Sequence, residues 1–171
     1  GAVREILATE LLEALGVNTS KTFSVIETGE ALDRHDEPSP TRAAVLVRLS
    51  HGHIRIGSFQ RLRYLDDAEG VETLLRHAAR HHFADDLDAE AAIADLAPRF
   101  LAQVAARIAD TAGSWLAAGF VHGVLNTDNF NITGESFDYG PWRFLANFDP
   151  QFVAAYFDHA GRYAYGRQAE A

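Results

Sequence analysis

The sequence predicts an α+β fold, on three observations. Apolar residues recur at helical spacing near the start and again through the middle. A short region rich in Val, Leu and Ile separates those stretches, and a polar loop set between short apolar pieces follows them. The order is helix, small antiparallel sheet, helices, then loop.

Residues 3–15 carry Val3, Ile6, Leu7, Leu11 and Leu15 at helical spacing, and Gly16 stands where a helix C-terminus favours glycine. Thr22–Thr28 reads as a strand with a turn at Gly29-Glu30. Residues 33–41, polar with two prolines, read as an exposed hairpin loop. Ala43–Leu49 and His53–Gly57 read as two further strands around a turn at Ser50–Gly52. From Ala68 the chain becomes rich in alanine and leucine. Val71–Phe83 and Ala89–Ala118 are expected to be helical, with Pro98 starting a new helix or kinking one. Phe120-Val121, Phe130–Ile132 and Ser136–Tyr139 are short strand-like pieces around a small hairpin. Pro150–Tyr156 reads as a short helix, and the tail beyond it as irregular.

The composition narrows the function classes. At 171 residues and 18.8 kDa the chain can bury a real core. A formal charge of −9 argues against nucleic-acid or acidic-membrane partners. No cysteine is present, which removes disulfides, thiolate zinc sites and cysteine nucleophiles. Arg99, Arg107 and Asp110 interrupt the best apolar run before it reaches the roughly 18 residues of a membrane helix. With no signal peptide at its start, the chain reads as soluble and intracellular. It opens on Gly1 and contains no methionine, so it is expected to be a piece of a longer chain. Lys21 is its only lysine, so any chemistry needing a lysine has one candidate.

The densest chemistry lies in residues 122–140, HGVLNTDNFNITGESFDYG. Asn129 and Asp138 flank the expected hairpin, and a turn of the chain could bring their oxygens together. Magnesium takes a few hard oxygen ligands from protein, with phosphate and water completing its octahedron. Kinase-like phosphotransferases use an Asn and an Asp in this way. Their pattern, His-(Arg/Gly)-Asp-x4-Asn followed by Asp-aromatic-Gly, is met here by His122-Gly123, Asn129 and Asp138-Tyr139-Gly140. The catalytic aspartate of that pattern is replaced by Val124, which can neither accept a proton nor orient a hydroxyl. The pattern therefore reads as a pseudokinase unless Asp128 takes the base role. Asn and Asp are also common in tight turns, where their side chains bond local backbone.

Three further residues bear on this reading. Glu5 is either a solvated glutamate favoured by a helix N-terminus or, as in a kinase-like lobe, the helix glutamate that anchors a phosphate-binding lysine. Arg48 and Arg55 stand in apolar surroundings on neighbouring strand-like segments. They are either paired surface arginines or fork-shaped donors for phosphate.

The stretch HGVLNTDNFNITGESFDYGPWRFL closely resembles the signature of the selenoprotein O family, known also by its bacterial YdiU members. FDPQFVAAYFDHAGRYAYGRQ, VREILATELLEALGVNTSKTFSVIETGE and VLVRLSHGHIRIGSFQRL resemble the same family, collinearly over almost the whole chain. The resemblance implies a partial protein-kinase-like fold. Residues 1–65 would hold a helix-C-like element and small sheet of an N-lobe, and 66–171 a helical C-lobe with the metal-binding loop. It implies a protein adenylyltransferase that moves AMP from ATP to Ser, Thr or Tyr hydroxyls of protein substrates, with ATP bound inverted relative to kinases. Asp128 then matches the proposed catalytic base, and Asn129 and Asp138 match ligands of Mg2+ (or Mn2+), Asp138 also contacting the nucleotide. Arg48 and Arg55 match nucleotide-contacting arginines, and Glu5 matches the helix glutamate that pairs with a nucleotide-binding lysine. The implied location is cytoplasmic in a bacterium or mitochondrial in a eukaryote. The family's glycine-rich segment, that lysine and its C-terminal redox residue have no counterpart in this sequence, and Lys21 is wrongly placed to substitute. The isolated chain is therefore expected to be inactive. Phe130, Asn131, Trp142 and Arg143 depart from the family signature and are expected to be packing changes.

Three rival readings compete. The first is a non-catalytic, kinase-like nucleotide-binding module. The second is a small-molecule phosphotransferase of the aminoglycoside kinase type, against which Val124 argues. The third is a metal hydrolase on His77, His81 and His82, against which Arg76 and Arg80 on the same helix argue.

Overall fold

The computed structural model describes residues 1–33 and 38–170. Helix α1 (Ala2–Ala14) leads into an antiparallel pair, β1 (Lys21–Leu32) and β2 (Thr41–Leu49). Three helices follow: α2 (Ile56–Tyr64), α3 (Ala68–His82) and α4 (Ile93–Ala118). A second, two-residue pair, β3 (Phe120–Val121) with β4 (Arg143–Phe144), brackets the polar loop, and a 3-10 helix spans Tyr165–Glu170. The fold is α+β, as the sequence predicts. No helix among the described residues is long and apolar enough to cross a membrane.

Helix α1 stops at the expected glycine. Gly16 has φ +75°, its N–H bonds the Glu13 carbonyl, and Val17 N–H reaches back to Leu12 at 2.9 Å. This is a Schellman end, and Leu12 and Val17 share one core. The buried face is not the one the apolar spacing picks out. Val3, Leu7, Leu11 and Leu15 are exposed, while Ala8, Thr9 and Leu12 are buried. The helix is turned so that Glu5 faces the protein, for the reason given below.

Four elements differ from expectation. Gly29 (φ +78°) is not a hairpin turn. It lies in a register irregularity between Glu27 and Ala31, and β1 continues to Leu32. Of the expected loop 33–41, Thr41 already belongs to β2 and residues 34–37 lie outside the described residues. His53–Gly57 is not a strand. Arg55 makes a single antiparallel bridge with Asn131, and α2 begins at the next residue. Ile54 and Ile56 alternate as a strand would, but both pack, with Phe59, against the core of α3 and α4. Pro150–Tyr156 is not helical. The Asp149 carboxylate and carbonyl take the N–H groups of Gln151 and Phe152, which closes one turn that goes no further. Order appears instead at Tyr165–Glu170, where buried Gln168 donates to the Phe120 carbonyl and accepts from His122 N–H.

Helix α3 is capped by Asp67, whose carboxylate accepts from Gly70 N–H at 2.8 Å. Helix α4 carries Pro98 internally, starts at Ile93 rather than Ala89, and ends at Gly119 with φ +66°. Trp115 on its last turns is fully buried. It stacks on Phe130 and meets Phe120, His122 and Tyr139. This aromatic cluster is the floor on which the polar loop rests.

Candidate active site

The loop is built around a buried histidine. His122 sits in the apolar run FVHGV, is fully buried, and titrates near 4 because burial disfavours its charged form. It is therefore neutral at pH 7. Its Nε2–H donates to the Asp138 carbonyl at 2.9 Å, and its Nδ1 faces the Val124 N–H at 3.4 Å. Ser136 Oγ donates to the same Asp138 carbonyl at 2.7 Å. Two donors thus hold the backbone of Asp138 and leave its exposed carboxylate without a hydrogen bond or ion pair among the described residues.

Asn129 and Asp138 lie on the two arms of one hairpin. Phe130 bridges Ser136, and Phe137 N–H donates to the Asn129 carbonyl at 2.8 Å, so Asp138 follows directly on the residue paired with Asn129. The Asn129 Nδ2 is spent on the carbonyl of Val124. Its Oδ1 is left as the free end of the amide. A carboxamide oxygen and an unpaired carboxylate on adjacent positions of one hairpin are hard-oxygen donors that fit a magnesium-type ion. Val124, in the slot of the kinase aspartate, contributes its backbone to this arrangement.

Asp128 is displayed rather than buried, with its side chain 66% exposed. Its N–H is tied to Asn126 Oδ1 at 2.9 Å. The carboxylate lies against the first turn of α2, where a Cβ at Gly57 would stand 2.2 Å from Asp128 Oδ1. Gly57 is thus the residue that lets this carboxylate approach the helix. Gly57 N–H to Thr127 O and Ile56 N–H to Phe130 O join α2 to the loop. Arg55 approaches Asp128 only to 3.9 Å.

The two arginines have different surroundings. Arg48 is almost enclosed and every donor it owns is spent. Its Nε and one terminal nitrogen donate to Ser20 Oγ, and the remaining N–H groups go to Glu5 and to the carbonyls of Ser136 and Phe137. A phosphate at Arg48 would have to replace one of these partners. Arg55, with its side chain 39% exposed, lies over the Phe137 ring at 4.7 Å and makes no hydrogen bond through its guanidinium among the described residues. It has open donors.

Glu5 pairs with Arg48 at 2.8 Å, and both its oxygens accept from Tyr139 N–H at 3.1 and 3.2 Å. Burial pushes its carboxyl above the ordinary glutamate value, against the pull of Arg48 and the Tyr139 amide. This contact explains the rotation of α1: the glutamate must face the Asp138-Tyr139-Gly140 turn. Tyr139 itself is buried, bonds Thr19, and has its phenol pushed up to about 12 by burial.

Sequence reasoning did not single out Ser20, Ser136 or Gln168, which secure Arg48, Asp138 and His122. Lone serines and glutamines carry no spacing signal. For His122 the signal was present, a histidine inside an otherwise apolar strand. The His77 and His81 rings lie 4.5 Å apart at a tilt of 45°, but no group of three or more His, Cys, Asp or Glu among the described residues is placed to hold a metal ion.

A family model described as "Protein adenylyltransferase SelO" matches residues 1–171. The chain belongs to the SelO family. It is similar to the protein nucleotidyltransferase YdiU of Synechococcus sp. (strain ATCC 27144 / PCC 6301 / SAUG 1402/1), with 54% identity over 171 residues, 98% of this chain and 33% of that protein. It is 51% identical over 168 residues to the protein of that name from Gloeobacter violaceus, covering 98% of this chain and 34% of the relative. With that of Synechocystis sp. it shares 49% over 172 residues, 98% of this chain and 35% of the relative. The chain thus spans about a third of the length of these curated relatives.

Proposed function

We propose that this chain is the catalytic-loop region of a protein adenylyltransferase with a kinase-like arrangement, acting on ATP and on Ser, Thr or Tyr hydroxyls of protein substrates. The observation that carries the reading is the hairpin that sets the free oxygens of Asn129 and Asp138 on adjacent positions, beside an exposed Asp128. Family membership and the printed names of the relatives support nucleotidyl transfer as the reaction class.

Asn129 Oδ1 and the Asp138 carboxylate would hold Mg2+ or Mn2+, which when bound neutralises charge on the phosphates. In the transfer, the acceptor hydroxyl oxygen bonds to the α-phosphorus of ATP and the bond to the bridging oxygen breaks. Pyrophosphate leaves with that electron pair. Asp128 takes the hydroxyl proton, a contribution of roughly 10²–10⁴ in rate. Arg55 presents open donors to the departing phosphates. Arg48, whose donors are spent, holds α1, β2 and the 136–139 turn in register and lends positive charge. Val124 is compatible with this chemistry because Asp128 supplies the base.

The test compares ATP labelled on the α-phosphate with ATP labelled on the γ-phosphate, with magnesium or manganese, in a protein of the relatives' full length that carries this sequence. Label retained on protein from the α position alone is expected. Label from the γ position alone would make the protein an ordinary kinase and overturn the assignment of Asp128.

A further inference from the structure

The hairpin carries a buried carboxylate that the chemistry above does not use. Glu135 lies between Phe130 and Asp138 in sequence, and its side chain is 0% exposed. Its oxygens accept from Thr133 Oγ1, from His51 Nδ1 and, at 3.4 Å, from His51 N–H. Burial acts against its charged form, but the bonds from Thr133 and His51 prevail and hold the carboxyl below the ordinary glutamate value. At pH 7 it is therefore an ionised group that only accepts, and the His51 ring must bring the hydrogen on Nδ1. The His51 side chain is 78% exposed. A buried carboxylate is thus completed by a histidine at the surface.

The place of His51 in the chain says what this pair does. Residues 50–53 lead from β2, which carries Arg48, toward α2, which Arg55 precedes. From Ile54 onward the backbone holds the connection: Ile132 N–H bonds Ile54 O, Ile56 N–H bonds Phe130 O, and Gly57 N–H bonds Thr127 O. Residues 50–53 make no backbone–backbone hydrogen bond to any described residue, and none of the four is buried. Ser50 Oγ reaches only Gly52 O, within the segment. Every hydrogen bond that ties the segment to the rest of the described residues ends on Glu135. Two clefts border it. One, of about 360 Å3, has Ser50 and His53 in its wall with Arg48; the other, of about 450 Å3, has His51 and Thr133. Packing on the segment is light, with Gly52 against the His82 ring and His53 edge-on to Phe137.

We propose that Glu135 is a positioning residue: through His51 it holds residues 50–53 against the hairpin, and so fixes the wall that Ser50 and His53 give the nucleotide cleft beside Arg48. This inference rests on the nucleotide reading above and adds to it a residue that touches no substrate. Without the clasp the wall is in place in only a fraction of the molecules. The nucleotide then binds more weakly by that fraction.

The experiment uses the full-length protein and two variants. His51→Ala takes away the Nδ1 donor without opening a core cavity, and His51→Asn sets an amide Nδ2 where Nδ1 stood. Hydrogen exchange reads the amide of residue 51, and calorimetry reads binding of ATP with magnesium. In His51→Ala that amide should exchange about tenfold faster, and ATP should bind about tenfold more weakly. The Ile56 and Gly57 amides, which have their own backbone partners, should exchange as in wild type. His51→Asn should restore both values, and thermal melting without ligand shows that each variant is folded. Unaltered ATP binding by His51→Ala would overturn the inference, while the nucleotide reading stood. Unaltered exchange at residue 51 would overturn it too, because other contacts would then hold the segment. Faster exchange at Ile56 and Gly57, or no restoration by His51→Asn, would mark a general loss of structure and overturn the positioning role. Wild-type protein that does not bind ATP with magnesium would overturn both readings.

Discussion

Replacing His122 with Gln should flatten the dependence of stability on pH between 7 and 5. His122 is fully buried and titrates near 4, against 6.5 for an ordinary histidine. The unfolded chain therefore takes up a proton as pH falls through about 6.5, and the folded chain resists until about pH 4. The stability that His122 contributes is present above 6.5 and is lost as pH falls toward 4. Over that whole window the loss is about 3 kcal/mol, and between pH 7 and pH 5 it is about 2 kcal/mol. Urea unfolding of wild type and of His122→Gln at both pH values isolates this share. Glutamine stays neutral, offers an N–H toward the Asp138 carbonyl, and takes no proton. Other groups shift as well. His82 is held low, mainly by burial, and loses stability in the same direction. Glu5, held high by burial, gains it as pH falls. Both are common to the two proteins and cancel in the difference. Equal pH slopes for wild type and variant would refute the claim that His122 is buried in neutral form beneath Asp138.

Two other substitutions separate holding the site from using it. Glu5→Ala takes away the carboxyl that accepts from a nearly enclosed Arg48 and from Tyr139 N–H, and should cost about 3 kcal/mol in urea unfolding at pH 7; a loss below about 0.5 kcal/mol would mean that water takes over both bonds. Asp138→Ala removes an exposed carboxylate with no side-chain bond, so stability should stay within about 0.5 kcal/mol. Magnesium-dependent ATP binding, measured by calorimetry, should be lost, and unchanged binding would remove Asp138 from the metal assignment.

What could be read in the sequence was what depends on local spacing. Asn129 and Asp138 lie on one hairpin, so nine residues of sequence suffice to set Asp138 next to Phe137, the residue whose N–H bonds the Asn129 carbonyl. Gly16 ends a helix through its own φ. Misreadings arose where a distant partner decides the local structure. The Ile54–Ile56 alternation is compatible with a strand, and it takes the core of α3 and α4, against which both residues pack partly buried, to leave one bridge and then a helix. The apolar residues of α1 mark a face that the helix does not bury, because Glu5 must reach Arg48 and Tyr139 across more than forty and more than a hundred residues of chain.

The two arginines show the same limit at the site itself. They stand seven residues apart, in similar apolar surroundings, and sequence gives no reason to rank them. Tertiary contacts supply one. Arg48 sits where the 136–137 carbonyls, Ser20 and Glu5 converge, so its five donors complete the fold. Arg55 sits on the facing edge, where its backbone pairs with Asn131 and its guanidinium meets only a ring and a distant carboxylate. A guanidinium already satisfied by protein gains little from phosphate, because each new bond replaces an old one. An open guanidinium exchanges water for phosphate and keeps its protein contacts. On that argument Arg48 holds the site together, Arg55 binds in it, and substitution of the first should appear in unfolding before it appears in nucleotide affinity.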